Sequence, residues 1–154
     1  MKDRWLPVGV LAGALFAINV AARLVSRFAF GDDPEMQDRL SLAMFALIAV
    51  ILATLAFVWG RRRPLPDWGG EMALAVLIAM VLTIFLGPVV SGSYPFADGA
   101  GAFFSQIWLY AGFTGGGVVL GYLLLTALGW DYRSQSLKRY AEIKQSKPRR
   151  VVRR

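Results

Sequence analysis

Asn19, Arg23 and Arg27 stand four residues apart, so on a helix they stack along one face, with Ser26 beside them. Two guanidinium groups one turn apart present forked donors that suit a phosphate or a partner carboxylate. The simpler reading of the arginines is snorkelling, in which the methylene stems cover apolar surface and the charged heads reach the lipid headgroups. Asn19 resists that reading, because it sits deeper than a snorkelling chain explains and needs a hydrogen-bond partner in hydrocarbon. The trio is a candidate contact for a polar group or a lipid phosphate.

Elsewhere the chemically capable groups are sparse. Asp32, Asp33, Glu35 and Asp38 cluster after the trio, but without the alternating oxygen ligands and sharp turn of a calcium loop, so a solvated acidic loop is expected. Gly99 and Gly101 lack the preceding strand and the full glycine spacing of a phosphate cradle. Cysteine and histidine are both absent, which removes disulfides, thiolate chemistry, the usual ligands of zinc and haem, and the commonest general base. Proton and cation transporters keep acids inside the membrane. Here the polar residues within the apolar runs are neutral, among them Asn19, Thr54, Thr83, Gln106, Thr114 and Thr126. No nucleophile has a base beside it, so no catalytic residue, cofactor or metal is expected.

Four long apolar runs must position these residues: 5–22, 40–60, 72–92 and 104–130. A bilayer's hydrocarbon core needs about 20 apolar residues in helical form, and each run approaches or exceeds that. With 154 residues, 56% of them hydrophobic, the chain is too apolar for an ordinary soluble domain. The expected fold is an all-α membrane protein, four transmembrane helices in an up-down bundle with spans at about 5–27, 40–60, 71–92 and 104–130. These make a transmembrane domain at 1–130, followed by a short, basic, helical cytoplasmic tail at 131–154.

The formal charge of +7 does not indicate nucleic acid once the basic residues are placed. Lys2 and Arg4 precede the first span, Arg61, Arg62 and Arg63 follow the second, and the segment from Arg133 to Arg154 follows the fourth. Four crossings put all three groups on one face, so by the positive-inside rule both termini are cytoplasmic. Arg61, Arg62, Arg63, Arg149, Arg150, Arg153 and Arg154 are candidate contacts for anionic lipid. The excess of arginine over lysine, with abundant alanine, glycine, valine and leucine, matches a GC-rich bacterial bias and favours a bacterial plasma membrane. A basic start followed by an apolar stretch and the small residues Val20, Ala21 and Ala22 resembles a signal peptide. Because the second span begins almost at once, a retained helix is expected instead.

Local signals refine this outline. Pro7 is expected in the first turn of span one, where a missing amide hydrogen costs nothing. Glu71 is expected at the N-terminus of span three, favoured by the helix dipole. Residues 64–70 read as a tight turn, Gly87-Pro88 as a kink or stop that leaves 89–92 irregular, and 93–103 as an aromatic, glycine-rich loop in the headgroup layer. Span four is expected to continue past Asp131 as one helix into the cytoplasm.

Small residues carry the packing signals. Span two has an alanine stripe at Ala43, Ala46, Ala49, Ala53 and Ala56, and span four carries Gly112, Gly115, Gly116, Gly117 and Gly121. Glycine within a helix costs about 1 kcal/mol relative to alanine, so this cluster implies a close neighbour, either a helix of this chain or another protein. The functional expectation is a non-catalytic subunit that packs into a larger membrane assembly, with other membrane subunits and anionic lipids as partners. The alternative is a small homo-oligomeric carrier or pore for a neutral or lipid-like solute.

Overall fold

The computed structural model describes residues 2–30, 34–90, 92–94, 96 and 99–146. Among these the regular structure is entirely helical: α1 (Lys2–Val25), α2 (Pro34–Arg62), α3 (Leu65–Val90), α4 (Gly99–Ala127) and α5 (Tyr132–Ser146). The first four are long and apolar enough to cross a membrane, so this is a multi-pass membrane protein. At 1.5 Å per residue, the 24 to 29 residues of each exceed the roughly 30 Å of hydrocarbon and carry their ends into the headgroup layers.

The helices pair tightly as α1 with α3 and α2 with α4. Both pairs run parallel. Arg23 lies against Gly87 and Arg27 near Gly92, while Phe45 stacks on Phe113, with ring centroids 5.7 Å apart, and Gly117 and Gly121 meet Ala49 and Ala53. Contacts between the pairs are fewer: Asn19 to Met44 links α1 to α2, and Trp68 to Tyr122 and Phe85 to Phe103 link α3 to α4. Val8, Leu11, Ala12 and Leu15 of α1, Met72, Ala75 and Ala79 of α3, and Ile48, Leu52 and Ala56 of α2 form the buried core. Large apolar side chains such as Leu47, Leu77, Trp108 and Leu120 stay exposed on the outside, where lipid is their solvent.

Glycine explains the α2/α4 pair. A Cβ added at Gly117 would fall 2.8 Å from the Ala49 Cα, and one at Gly121 2.7 Å from the Ala53 Cα. Backbone meets backbone there, and only a missing side chain permits it.

Several local expectations are corrected. Pro7 lies inside α1 because the helix begins at Lys2, so Pro7 withholds one internal hydrogen bond near an end where its loss is cheapest. α2 starts at Pro34, six residues before the apolar run, with proline in the first position that needs no amide donor. α3 starts at Leu65, leaving Arg63 and Pro64 as the whole connector. Glu71 is thereby inside α3, beyond its first turn, and pairs with Arg63 at 3.5 Å. Gly87-Pro88 does not stop α3, which runs on to Val90. Both residues are buried, and Ser93 closes the end by donating its amide and its hydroxyl to the Pro88 carbonyl at 2.9 and 3.2 Å. The 93–103 loop is shorter than expected because α4 begins at Gly99, and Phe103 stacks on Phe96, with centroids 4.5 Å apart.

Span four does not continue unbroken. Gly129 adopts φ +64°, the Gly129 amide donates to the Thr126 carbonyl and the Trp130 amide to the Leu125 carbonyl, which is a Schellman stop. Asp131 then caps the new helix α5, its carboxylate accepting from the Ser134 amide at 3.1 Å. Asp32, Asp33 and Asp98 and the tail arginines Arg149, Arg150, Arg153 and Arg154 lie outside the described residues, as do the side chains of Lys2 and Arg4.

Candidate functional site

One end of the bundle carries the start of α1, the α2–α3 connector and α5, the near end; the other carries the last turns of α1 and α3 and the first turns of α2 and α4, the far end. At the far end α1 leaves α-helical geometry and finishes as a π-helical turn, Ser26–Phe30. Such turns insert a residue, rotate the side chains beyond it about the helix axis, and recur at functional sites. Beside this turn, α1, α2, α4 and the α3–α4 connector line a polar pocket of about 600 Å³. Its wall brings Asn19, Arg23 and Arg27 together with Ser26 from α1, Gln37, Asp38 and Ser41 from α2, Ser93 from the connector, and Ser105 and Gln106 from α4.

Arg23 is held from below. Its Nε donates to the Asn19 Oδ1 at 3.0 Å, and the Asn19 Nδ2 donates to the Met44 Sδ at 3.2 Å. Asn19 is 1% exposed, so these contacts meet its need for partners away from water. The guanidinium rests on the bare backbone of Gly87, where an added Cβ would stand 2.9 Å from Nε. Arg27, one turn further out, is exposed and passes close to Gly92, which has φ +77°. It makes no hydrogen bond or ion pair among the described residues.

Because α1 and α3 run parallel with Arg23 opposite Gly87, Asn19 is level with Thr83 one turn deeper. Tyr110 meets Phe45 edge-on at 6.2 Å, next to Met44 on α2. Asn19, Met44, Thr83 and Tyr110 thus form a polar layer with one member from each membrane helix. Thr83 and Tyr110 are fully buried, and their hydroxyls have no hydrogen-bond partner among the described residues. Sequence reasoning named Asn19, Arg23 and Arg27 but assigned Gln37 and Asp38 to a loop and missed Ser41, Met44 and Gly87 as parts of one site. The available signal was the four-residue step from Gln37 to Ser41, which marks a polar helix face.

The candidate packing residues divide between two faces. Gly117 and Gly121 are buried against Ala49 and Ala53, whereas Gly112, Gly115 and Gly116 have nothing within 4 Å of where a Cβ would be. Gly112 and Gly116, with Ala46, Ala49, Trp108 and Leu120, line an apolar groove of about 900 Å³ on the outer face of the α2/α4 pair.

At the near end, Arg61, Arg62 and Arg139 line a cleft of about 820 Å³ between α2 and α5, with Phe57, Tyr132 and Tyr140. Arg61 also lies over the Trp130 ring at 5.4 Å, and Arg63 is turned to Glu71. The Asp131 carboxyl is held below its ordinary range by hydrogen bonds from the Ser134 hydroxyl and amide. No family model, curated protein or solved structure matches the chain.

Proposed function

We propose that this chain is a non-catalytic integral membrane subunit that packs into, and stabilises, a larger membrane protein assembly. The observation that carries this reading is the division of the α4 glycines. Gly117 and Gly121 meet the needs of internal packing, yet Gly112, Gly115 and Gly116 stay bare on an outer face. Each costs about 1 kcal/mol in a helix, and lipid, being as apolar as leucine, offers nothing in return that a side chain would not. A helix of a neighbouring subunit laid in the Gly112/Gly116 groove would offset that cost by backbone approach. Both termini face the cytoplasm of a bacterial plasma membrane in this reading, supported by the arginines of the near end and the residue usage.

The test is native electrophoresis after gentle solubilisation. The chain should migrate within a larger complex, and the double variant Gly112→Leu/Gly116→Leu should release it without lowering its own thermal stability. Migration of the unmodified chain as a lone small monomer would overturn the proposal.

The far-end pocket favours a second reading, a homo-oligomeric carrier or pore for a neutral or lipid-like solute. Below the polar layer, Leu15, Ile48, Leu52 and Ala79 are fully buried, so a solute would cross only if the helix pairs separated. Arg23→Ala or Arg27→Ala should then abolish uptake by reconstituted vesicles, and unchanged uptake in both would remove this reading.

A further inference from the structure

We propose that the far-end pocket is a binding site for a singly charged phosphate oxyanion, held between Arg23 and Arg27. Three observations lead there, none of which depends on assembly or transport. First, Arg23 does not snorkel. A snorkelling arginine extends toward the headgroups, whereas the Arg23 Nε is bound to Asn19, one turn nearer the bundle centre, and its guanidinium lies on Gly87. Asn19 is buried and anchored to a second helix through Met44, so the guanidinium is fixed before any ligand arrives. Preset donors of this kind bind without an ordering cost.

Second, the π-helical turn brings Arg27 to the same pocket wall, one turn beyond Arg23, with no protein acceptor among the described residues. A planar guanidinium left to solvent beside a fixed one forms a fork-and-clamp for tetrahedral oxyanions. Third, among the described residues the charged lining is Arg23, Arg27 and Asp38, and the remaining polar wall is serine, asparagine and glutamine. Asp38 cancels one arginine and leaves a single excess positive charge, which matches a phosphodiester or monobasic phosphate. The Ser26 hydroxyl and the Gln106 amide, both on the pocket wall, are neutral donors for the other oxygens.

The same chemistry belongs to a phospholipid headgroup and to free phosphate, and two arms separate them. The chain is reconstituted in nanodiscs of a neutral, phosphate-free glycolipid doped with phosphatidylglycerol, and retained lipid is counted by native mass spectrometry. Separately, melting in neutral detergent is followed with millimolar inorganic phosphate against chloride at equal ionic strength. Arg27→Gln and Arg23→Gln should each lower phosphatidylglycerol retention at least tenfold, while Arg61→Gln, at the other end, should not. Phosphate protection that is lost in Arg27→Gln would assign free phosphate as a ligand; retention of the lipid without that protection would assign the headgroup. Arg27 is exposed and unbonded, so its variant folds. Equal lipid retention and equal phosphate response in Arg27→Gln and the unmodified chain would overturn the proposal.

Discussion

Asn19 shows how much a single polar side chain decides in an apolar bundle. It accepts from Arg23 and donates to Met44, so it ties the first helix to the second and holds a cation in place. A double-mutant cycle of Asn19→Ala and Arg23→Ala, read by unfolding in detergent, should give a favourable coupling of about 0.6–2 kcal/mol. Additive losses would show that the hydrogen bond contributes nothing. Two glycines offer a sharper contrast. An added methyl at Gly87 meets the end of the Arg23 side chain, which can move, whereas one at Gly121 meets the Ala53 backbone, which cannot. Gly121→Ala should therefore destabilise by about 1–3 kcal/mol through overpacking, and Gly87→Ala should cost less, because the guanidinium can shift at the expense of its bond to Asn19. Equal melting temperatures for the two variants would contradict this difference.

At the level of the helices, α5 depends on a local cap that titrates. Hydrogen bonds from Ser134 lower the Asp131 pKa, so the cap's contribution is complete above the ordinary carboxylate value of 3.8 and is lost as pH falls through the lowered folded value. The protection of the Ser134 and Gln135 amides, taken relative to their intrinsic exchange rates at each pH, should be constant from neutral to weakly acidic pH and fall in strong acid. Asp131→Ala should show the low protection at every pH. This cap also illustrates what was legible in the sequence. Apolar run length located four membrane helices because hydrocarbon thickness imposes it, but it blurred their ends. Gln37, Asp38 and Ser41 extend α2 toward Pro34 as a polar face turned to the pocket, which a hydropathy criterion discards. Gly129 followed by Asp131 and Ser134 spells a stop and a restart, yet both fall beside Trp130 at the expected membrane boundary, where continuity is the simpler reading. The Asn19, Arg23 and Arg27 face was visible from its spacing alone, whereas Gly87, Met44 and Tyr110 joined the site through contacts between helices that no local pattern encodes.

For the whole molecule, the tight pairs α1/α3 and α2/α4 give every membrane helix its main partner from the other half of the chain. Neighbours in sequence are only loosely joined. The first two helices therefore leave the ribosome and enter the bilayer before either has anything firm to hold, and they mature only when the second two arrive. Split between Arg63 and Pro64 and made as two polypeptides, the halves should recombine into a particle that melts as one unit. The 1–63 fragment expressed alone should be cleared by membrane proteases within minutes in a pulse-chase. A long-lived 1–63 fragment would mean that its two helices form a finished folding unit. An insertion factor that shelters unfinished helices would thus have most to do for this protein midway through its synthesis.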